Sequence, residues 1–232
     1  MNNFKERSFT KELLDNTGIS FQDILVNMRE LNTINTLLGG HSITLKGVQT
    51  LIKGRNKSTL TVCEIGSGGG DNLFAIAKHF KSDSYTLKLI GIDIKEECTK
   101  AALKNYPSLS ANWITSDYEI AKLPDKPQII FSSLFCHHFT NEALVKQLQW
   151  MYNNCIEGFF INDLHRHPLA YYSIKWITKA FSTSYLVKND APLSVLRGFT
   201  KKEWNTLLQQ AGITNYSIKW KWAFRHLIVA KK

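Results

Sequence analysis

The sequence predicts an α/β protein: a seven-stranded, mostly parallel sheet with helices on both faces, ending in an antiparallel hairpin and preceded by a helical cap. Three observations carry this. From about residue 60, β-branched runs alternate with amphipathic stretches of helical period, and neighbouring parallel strands need crossover connections of that kind. Four glycines in five positions separate the first strand pattern from the first helix pattern, in VCEIGSGGGD (62–71). The C-terminal stretch holds one capped helix and two strand-like runs close enough to pair.

Residues 1–58 read as a helical cap segment, in which FQDILVNMRELNTINTLLGG has helical period and Gly39–Gly40 is a stop. Residues 59–232 read as the main domain. TLTVCEI is a strand buried on both faces, and DNLFAIAKHF aligns Leu73, Phe74, Ala77 and Phe80 on one helical face. TLKLIGIDI is the second strand, KEECTKAALKNY a helix stopped by Pro107, and ANWITSD a short third strand. After Pro124 and Pro127 come a strand (QIIFSSLF), a helix (TNEALVKQLQWMYNNC) and a fifth strand (IEGFFINDL). An insertion at about 164–198 follows, with an aromatic stripe of Tyr171, Tyr172, Trp176, Ile177 and Phe181. TKKEWNTLLQQAG is a helix capped by Thr200 and Glu203 and closed by Gly212, and ITNYSIKWKW with AFRHLIVAKK forms the hairpin.

At 232 residues and 44% hydrophobic content the chain can bury a sizeable core. No stretch approaches the roughly 20 consecutive apolar residues of a membrane span, and the charged N-terminus lacks an apolar signal region, so the expected location is cytoplasmic. Cys63, Cys98, Cys136 and Cys155 are widely spaced and read as reduced thiols. The formal charge of +10 is unevenly placed: residues 166–232 carry 12 Lys/Arg against 2 Asp/Glu, whereas residues 61–165 carry 9 against 12. A basic C-terminal third suits a nucleic-acid or anionic partner, and equally a solvated face.

The glycine loop brings a helix N-terminus and bare backbone up to a ligand. A dinucleotide fingerprint GxGxxG, counted from Gly66 and Gly68, needs glycine at position 71, where Asp71 stands. A carboxylate opposes a pyrophosphate. S-adenosylmethionine, with its sulfonium and ammonium groups, tolerates Glu64 and Asp71, so the loop favours a methyl donor over a nicotinamide.

In order along the chain, the motifs resemble those of the class I S-adenosylmethionine-dependent methyltransferases, whose fold is Rossmann-like. VCEIGSGGG resembles their first motif, which implies donor binding by Glu64, Gly66, Ser67, Gly68 and Gly70. In GIDI, the resemblance implies that Asp93 accepts both ribose hydroxyls and that Ile94 packs on adenine. In ITSDYE, it places Asp117 near the adenine amino group with Tyr118 beside it, and in FSSLFCHHF it sets Ser132 and Ser133 near the methionine portion. LNTINTLLGG and INDLHRHPLAYY resemble a bacterial subgroup acting on small molecules of polyketide and phenolic-lipid pathways. The resemblance covers about residues 60–165 and 200–232.

Transfer to a hydroxyl needs a base near the acceptor proton. His137, His138 and Asp163 are the candidates at the ends of the fourth and fifth strands, with His165 and His167 after them. His165, His167 and Cys136 lack a metal-ligand spacing, so no metal is expected. The expected acceptor is a small aromatic or lipophilic metabolite under a cap that includes the insertion. Three other readings stay open: nucleic-acid methylation, a non-catalytic S-adenosylmethionine-binding protein, and, least favoured, a dinucleotide oxidoreductase. Where base-amino methyltransferases carry [DNS]PP[YFW], this chain has SSLF. The oligomeric state is left open.

Overall fold

A computed structural model describes residues 3–55, 59–81 and 85–232. Seven strands form one sheet: β1 (Thr59–Ile65), β2 (Thr86–Asp93), β3 (Asn112–Thr115), β4 (Ile129–Ser133), β5 (Gly158–Leu164), β6 (Tyr216–Lys221) and β7 (Arg225–Lys231). Their order is β3-β2-β1-β4-β5-β7-β6, with β7 antiparallel to both neighbours and the rest parallel. The predicted fold class is the one observed. β4 is buried throughout and β1 at every residue but its first, as their continuous apolar runs require. The edge strand β6 is partly exposed and carries Lys219 and Lys221, which discourages pairing with another chain.

Strand side chains alternate between two cores. Cys63, Ile65, Phe159 and Ile161 join Trp204 and Leu208 on one face. Leu60, Val62, Phe131 and Phe160 join Leu73 and Ile76 on the other. The strand order reverses between β1 and β4, so the loops after these two strands part and leave a crevice at the carboxyl edge of the sheet.

The N-terminal segment divides. α1 (Phe21–Leu37) is capped by Ser20, and Gly39, at φ +75°, starts α2 (Gly40–Leu51). Ile43, Val48 and Leu51 of α2 belong to the sheet core, so this helix is a layer of the domain. Ile24, Leu25 and Met28 of α1 instead pack with Cys98 and Ala101 of α4 (Glu96–Asn105) beside the crevice.

The insertion forms α6 (Pro168–Phe181) and α7 (Tyr185–Arg197). Its aromatic stripe splits between faces. Tyr172, Trp176 and Phe181 are 50%, 68% and 83% exposed, whereas Ala170, Ile174 and Ile177, spaced i, i+4, i+7, face a cavity. Glu30 of α1 latches the α6–α7 junction: Oε1 accepts from Thr183 N at 2.8 Å, Thr183 Oγ1 at 2.7 Å and Ser184 N at 3.2 Å, and Oε2 accepts from Ser182 Oγ. Glu30→Ala is expected to lower stability by about 1 kcal/mol, as loss of a helix cap does, measured by urea unfolding. No helix among the described residues is long and apolar enough to cross a membrane.

Candidate active site

The glycine loop after β1 runs into α3 (Asp71–Phe80). At Gly66 (φ +66°) an added Cβ would lie 2.3 Å from the Phe135 ring, so only glycine lets that ring close over the loop. The loop is tied to the end of β2: Ser67 N donates to Ile92 O at 3.0 Å and Gly68 N to Asp93 Oδ2 at 2.8 Å. Asp93 Oδ1 accepts from Lys95 N at 2.9 Å. Burial holds the Asp93 carboxyl above its ordinary pKa despite these amides.

These elements enclose a cavity of about 350 Å³. Glu64, Gly66, Ser67, Gly68, Asp93, Ile94, Asp117, Tyr118, Ser133 and His138, all expected from the sequence, line it. Ile94 is 69% exposed at its mouth, an apolar side chain left in water where the resemblance implies an adenine ring. Three expected donor contacts lie elsewhere or are preoccupied. Gly70 lines no part of the cavity and caps α3 against Trp113. Ser132 is fully buried with Oγ 3.2 Å from Cys136 Sγ, below the cavity floor. Asp117 uses Oδ1 to accept from Glu119 N at 2.9 Å. The Tyr118 ring packs edge-on against Phe135, Phe139 and Trp150.

A second cavity, about 390 Å³, adjoins the first, and Leu14, Leu31, Leu134 and His138 line both. Leu134, the residue after β4, sits at φ +53°, a strained conformation for a leucine. Its amide donates to Asn162 O at 2.9 Å, which places the side chain at the junction of the cavities. The hairpin turn is strained likewise, with Ala223 and Phe224 at φ +61° and +55°. Trp222, Ala223 and Phe224 close the far wall.

His137 lines the second cavity from a short 3-10 turn, Cys136–His138. Its Nδ1 is 2.7 Å from Asp163 Oδ1 and its Nε2 is 3.5 Å from Glu12 Oε1. Burial alone would lower its pKa, but Asp163, then Glu12, outweigh burial and raise it to about 9. Asp163 is wholly buried, accepts also from His137 N and Leu164 N, and lines neither cavity. The expected Asp163 thus lies behind His137, paired with its Nδ1. His138 Nδ1 is 2.9 Å from Asp15 Oδ1, and its Nε2 is 3.7 Å from Glu12 Oε2.

Glu12 and Asp15 had no signal in the sequence, since they arrive from a segment about 125 residues away. Arginines staple that segment down. Arg7 donates to His137 O, Phe139 O and Arg197 O, and Arg197 donates to His137 O and Thr10 O. Glu12, His137 and His138 place one ligand atom each within 4.8 Å of one another, close enough for a divalent cation. The Arg197 guanidinium, 4.0 Å from Glu12 Oε1, already balances that carboxylate, and the trio reads as a charge network. His165, also expected as a base candidate, packs against His167 and His226 and lines neither cavity.

Residues 62–158 match a family model described as a methyltransferase domain. The matched stretch runs from β1 to the start of β5 and holds the glycine loop. No match to a curated protein sequence was found. Among solved structures, the plantazolicin methyltransferase BpumL in complex with S-adenosylhomocysteine superposes with a TM-score of 0.65 at 18% identity, covering 91% of this chain and 90% of that one. Human N-acetylserotonin methyltransferase with S-adenosylmethionine gives 0.64 at 18%, covering 92% of this chain and 56% of that one. A Nostoc punctiforme protein provisionally named an O-methyltransferase gives 0.61 at 15%, covering 88% and 60%. The chain thus spans under two thirds of the length of these last two, and at such identities the likeness is one of fold.

The first cavity fits S-adenosylmethionine, the donor that the sequence resemblance implies. Among the described residues, its buried polar atoms without a partner are Asn35 Oδ1, an acceptor, and Glu64 Oε2, an acceptor once the carboxyl ionises. Burial, reinforced by Asp71 and Asp93, pushes Glu64 well above the carboxylate range, so the pocket gains from a cationic guest such as an ammonium. Asp71 is already engaged. Burial would raise it, yet His41 Nε2 at 2.7 Å and Asn35 Nδ2 at 2.9 Å bring it below its ordinary value.

Proposed function

We propose that the enzyme methylates a hydroxyl of a small, largely apolar acceptor held in the second cavity, with His137 as general base and Asp163 as its positioning residue. One observation carries this reading: a buried His–Asp pair faces a second cavity that meets the donor cavity at Leu134 and His138. Bound in the first cavity, the donor supplies an electrophilic methyl group on a sulfonium. Asp93 and Ile94 would hold its ribose and adenine, and Glu64 with Asn35 its ammonium end. His137 Nε2 takes the acceptor's proton, while Asp163 fixes the tautomer by accepting from Nδ1 and stabilises the imidazolium that forms. The roof of α1, α6 and α7 excludes water from the junction.

Small-molecule acceptors are supported by the neighbours of like fold, whose names specify N-acetylserotonin and plantazolicin. They are supported also by charge placement. Among the described residues, Arg225 is the single cation of the C-terminal third that lines either cavity, so the basic surface does not converge on the reaction centre as a nucleic-acid site requires. Cytoplasmic location and a role in secondary metabolism go with this reading.

The test is calorimetric titration with S-adenosylmethionine, followed by a screen of phenolic and lipophilic alcohols for methyl transfer from labelled donor. Donor binding with methylation of a hydroxyl is expected; methylation confined to RNA would overturn the acceptor assignment. Asp93→Ala should weaken donor binding by about 1.5–3 kcal/mol, the range for hydrogen bonds to a charged group, and unchanged affinity would reduce Asp93 to an anchor for the Gly68 loop.

A further inference from the structure

The unpartnered polar atoms of the two cavities differ in kind. In the donor cavity they are oxygens, of Asn35 and of the Glu64 carboxyl. Among the described residues that line the second cavity, the buried side-chain atoms without a partner are Nε and Nη1 of Arg225 and Nδ2 of Asn27, and every one is a donor. Arg225 is 2% exposed and Asn27 2% exposed. The other charged groups of that wall have partners. Asp190 accepts from Leu13 N at 2.8 Å and Leu14 N at 2.9 Å, and Glu12 accepts from Ser194 Oγ at 2.7 Å beside His137.

Arg225 opens β7 directly after the strained Ala223–Phe224 turn, and at the start of α2 a Cβ placed on Gly40 would lie 2.9 Å from Nη1 and 2.0 Å from Asn35 Oδ1, a neutral neighbour of the guanidinium. The turn therefore drives a guanidinium into an apolar wall. Asp163 and Asp71 act on it from a distance but are committed to His137 and to His41 with Asn35. A buried cation with two free N–H groups is costly until an anion meets it, and a guanidinium matches a carboxylate in shape as well as charge.

We infer that the acceptor carries a carboxylate, bound by Arg225 with help from Asn27, so that the substrate class is an amphipathic hydroxy acid: anionic at one end, apolar through its middle, its hydroxyl toward His137. This rests on the hydroxyl-methylation reading above and narrows it. It also assigns the hairpin turn a purpose, since Trp222, Ala223 and Phe224 wall the apolar middle while the next residue reads the charge.

Two measurements on Arg225→Met test the inference. Without ligand, the variant should unfold at the same temperature as the parent or higher, because it removes an uncompensated buried charge; a fall of several degrees would make Arg225 a structural residue and overturn the proposal. With S-adenosylhomocysteine bound, para-hydroxyphenylpropanoate and its neutral amide serve as probes in fluorescence titration. The parent should bind the acid about tenfold or more tightly than the amide, and Arg225→Met should erase that preference with donor affinity unchanged. Equal binding of acid and amide by the parent, binding of neither, or a loss of S-adenosylmethionine affinity in the variant would each overturn it. The two readings fail separately. Methylation of neutral phenols without acid preference removes the carboxylate and leaves hydroxyl methylation standing, whereas absence of any hydroxyl methylation removes both.

Discussion

His137→Gln is expected to lower kcat by about two to four orders of magnitude, the range that a positioned general base contributes. Glutamine keeps a donor for Asp163 but has no basic nitrogen for the acceptor. Because His137 lines the second cavity and not the first, donor affinity should stay within about twofold, which separates this outcome from collapse of the site. The pH profile is the decisive measurement. A base held at about 9 by Asp163 and Glu12 is largely protonated at neutrality, so the parent rate should rise about tenfold per pH unit and level off above about 9. The variant should lose that limb, and Glu12→Gln should move the inflection to lower pH. A flat parent profile between pH 6 and 9 would remove His137 from the role.

The same titration acts on stability. The folded-state pKa of His137 lies above the ordinary histidine value of about 6.5, so its pairing with Asp163 stabilises the fold fully below that value. This contribution is lost as pH rises through about 9. The enzyme should therefore unfold more easily over the window in which its base becomes active, which a thermal-denaturation series at each pH would show.

Gly66→Ala carries the second large effect. At φ +66° a Cβ is strained, and here it would also lie 2.3 Å from Phe135 Cδ2. The backbone penalty is about 1 kcal/mol and overpacking adds about 1–3 kcal/mol. Phe135 lines the donor cavity, so relief of the clash moves it into the space the methionine portion needs. The expected result is at least about a tenfold loss of S-adenosylmethionine affinity with a lower unfolding temperature. A variant that binds donor like the parent would show that the ring retreats another way.

Local pattern and charge were enough to read the glycine loop and the acids beside it. Glu64, the glycines and Asp93 lie next to one another at the ends of β1 and β2 because adjacent parallel strands bring sequential loops to one edge. Their chemistry is read from residue type: acids where a phosphate ligand would be opposed. The exceptions are instructive. Ser132 and Ser133 are equivalent in sequence, yet consecutive strand residues face opposite sides, and the structure gives Ser133 to the cavity and Ser132 to Cys136. Asp163 reads as a base candidate, and the structure buries it beneath His137, away from both cavities.

What the sequence alone determined is the sheet, its terminal hairpin and the donor loop, all of which follow from short-range periodicity and from strand neighbours that are consecutive in the chain. The second cavity was decided only by tertiary structure. Glu12 comes from the N-terminal strap, His137 from after β4, Ile174 from the insertion and Arg225 from the hairpin, and no local pattern links segments that far apart. Their meeting depends on arginines that staple the strap, on Glu30 latching the insertion to α1, and on strained turns at Leu134 and Ala223–Phe224. Such contacts are set by packing of the whole chain, and packing leaves no periodicity to read.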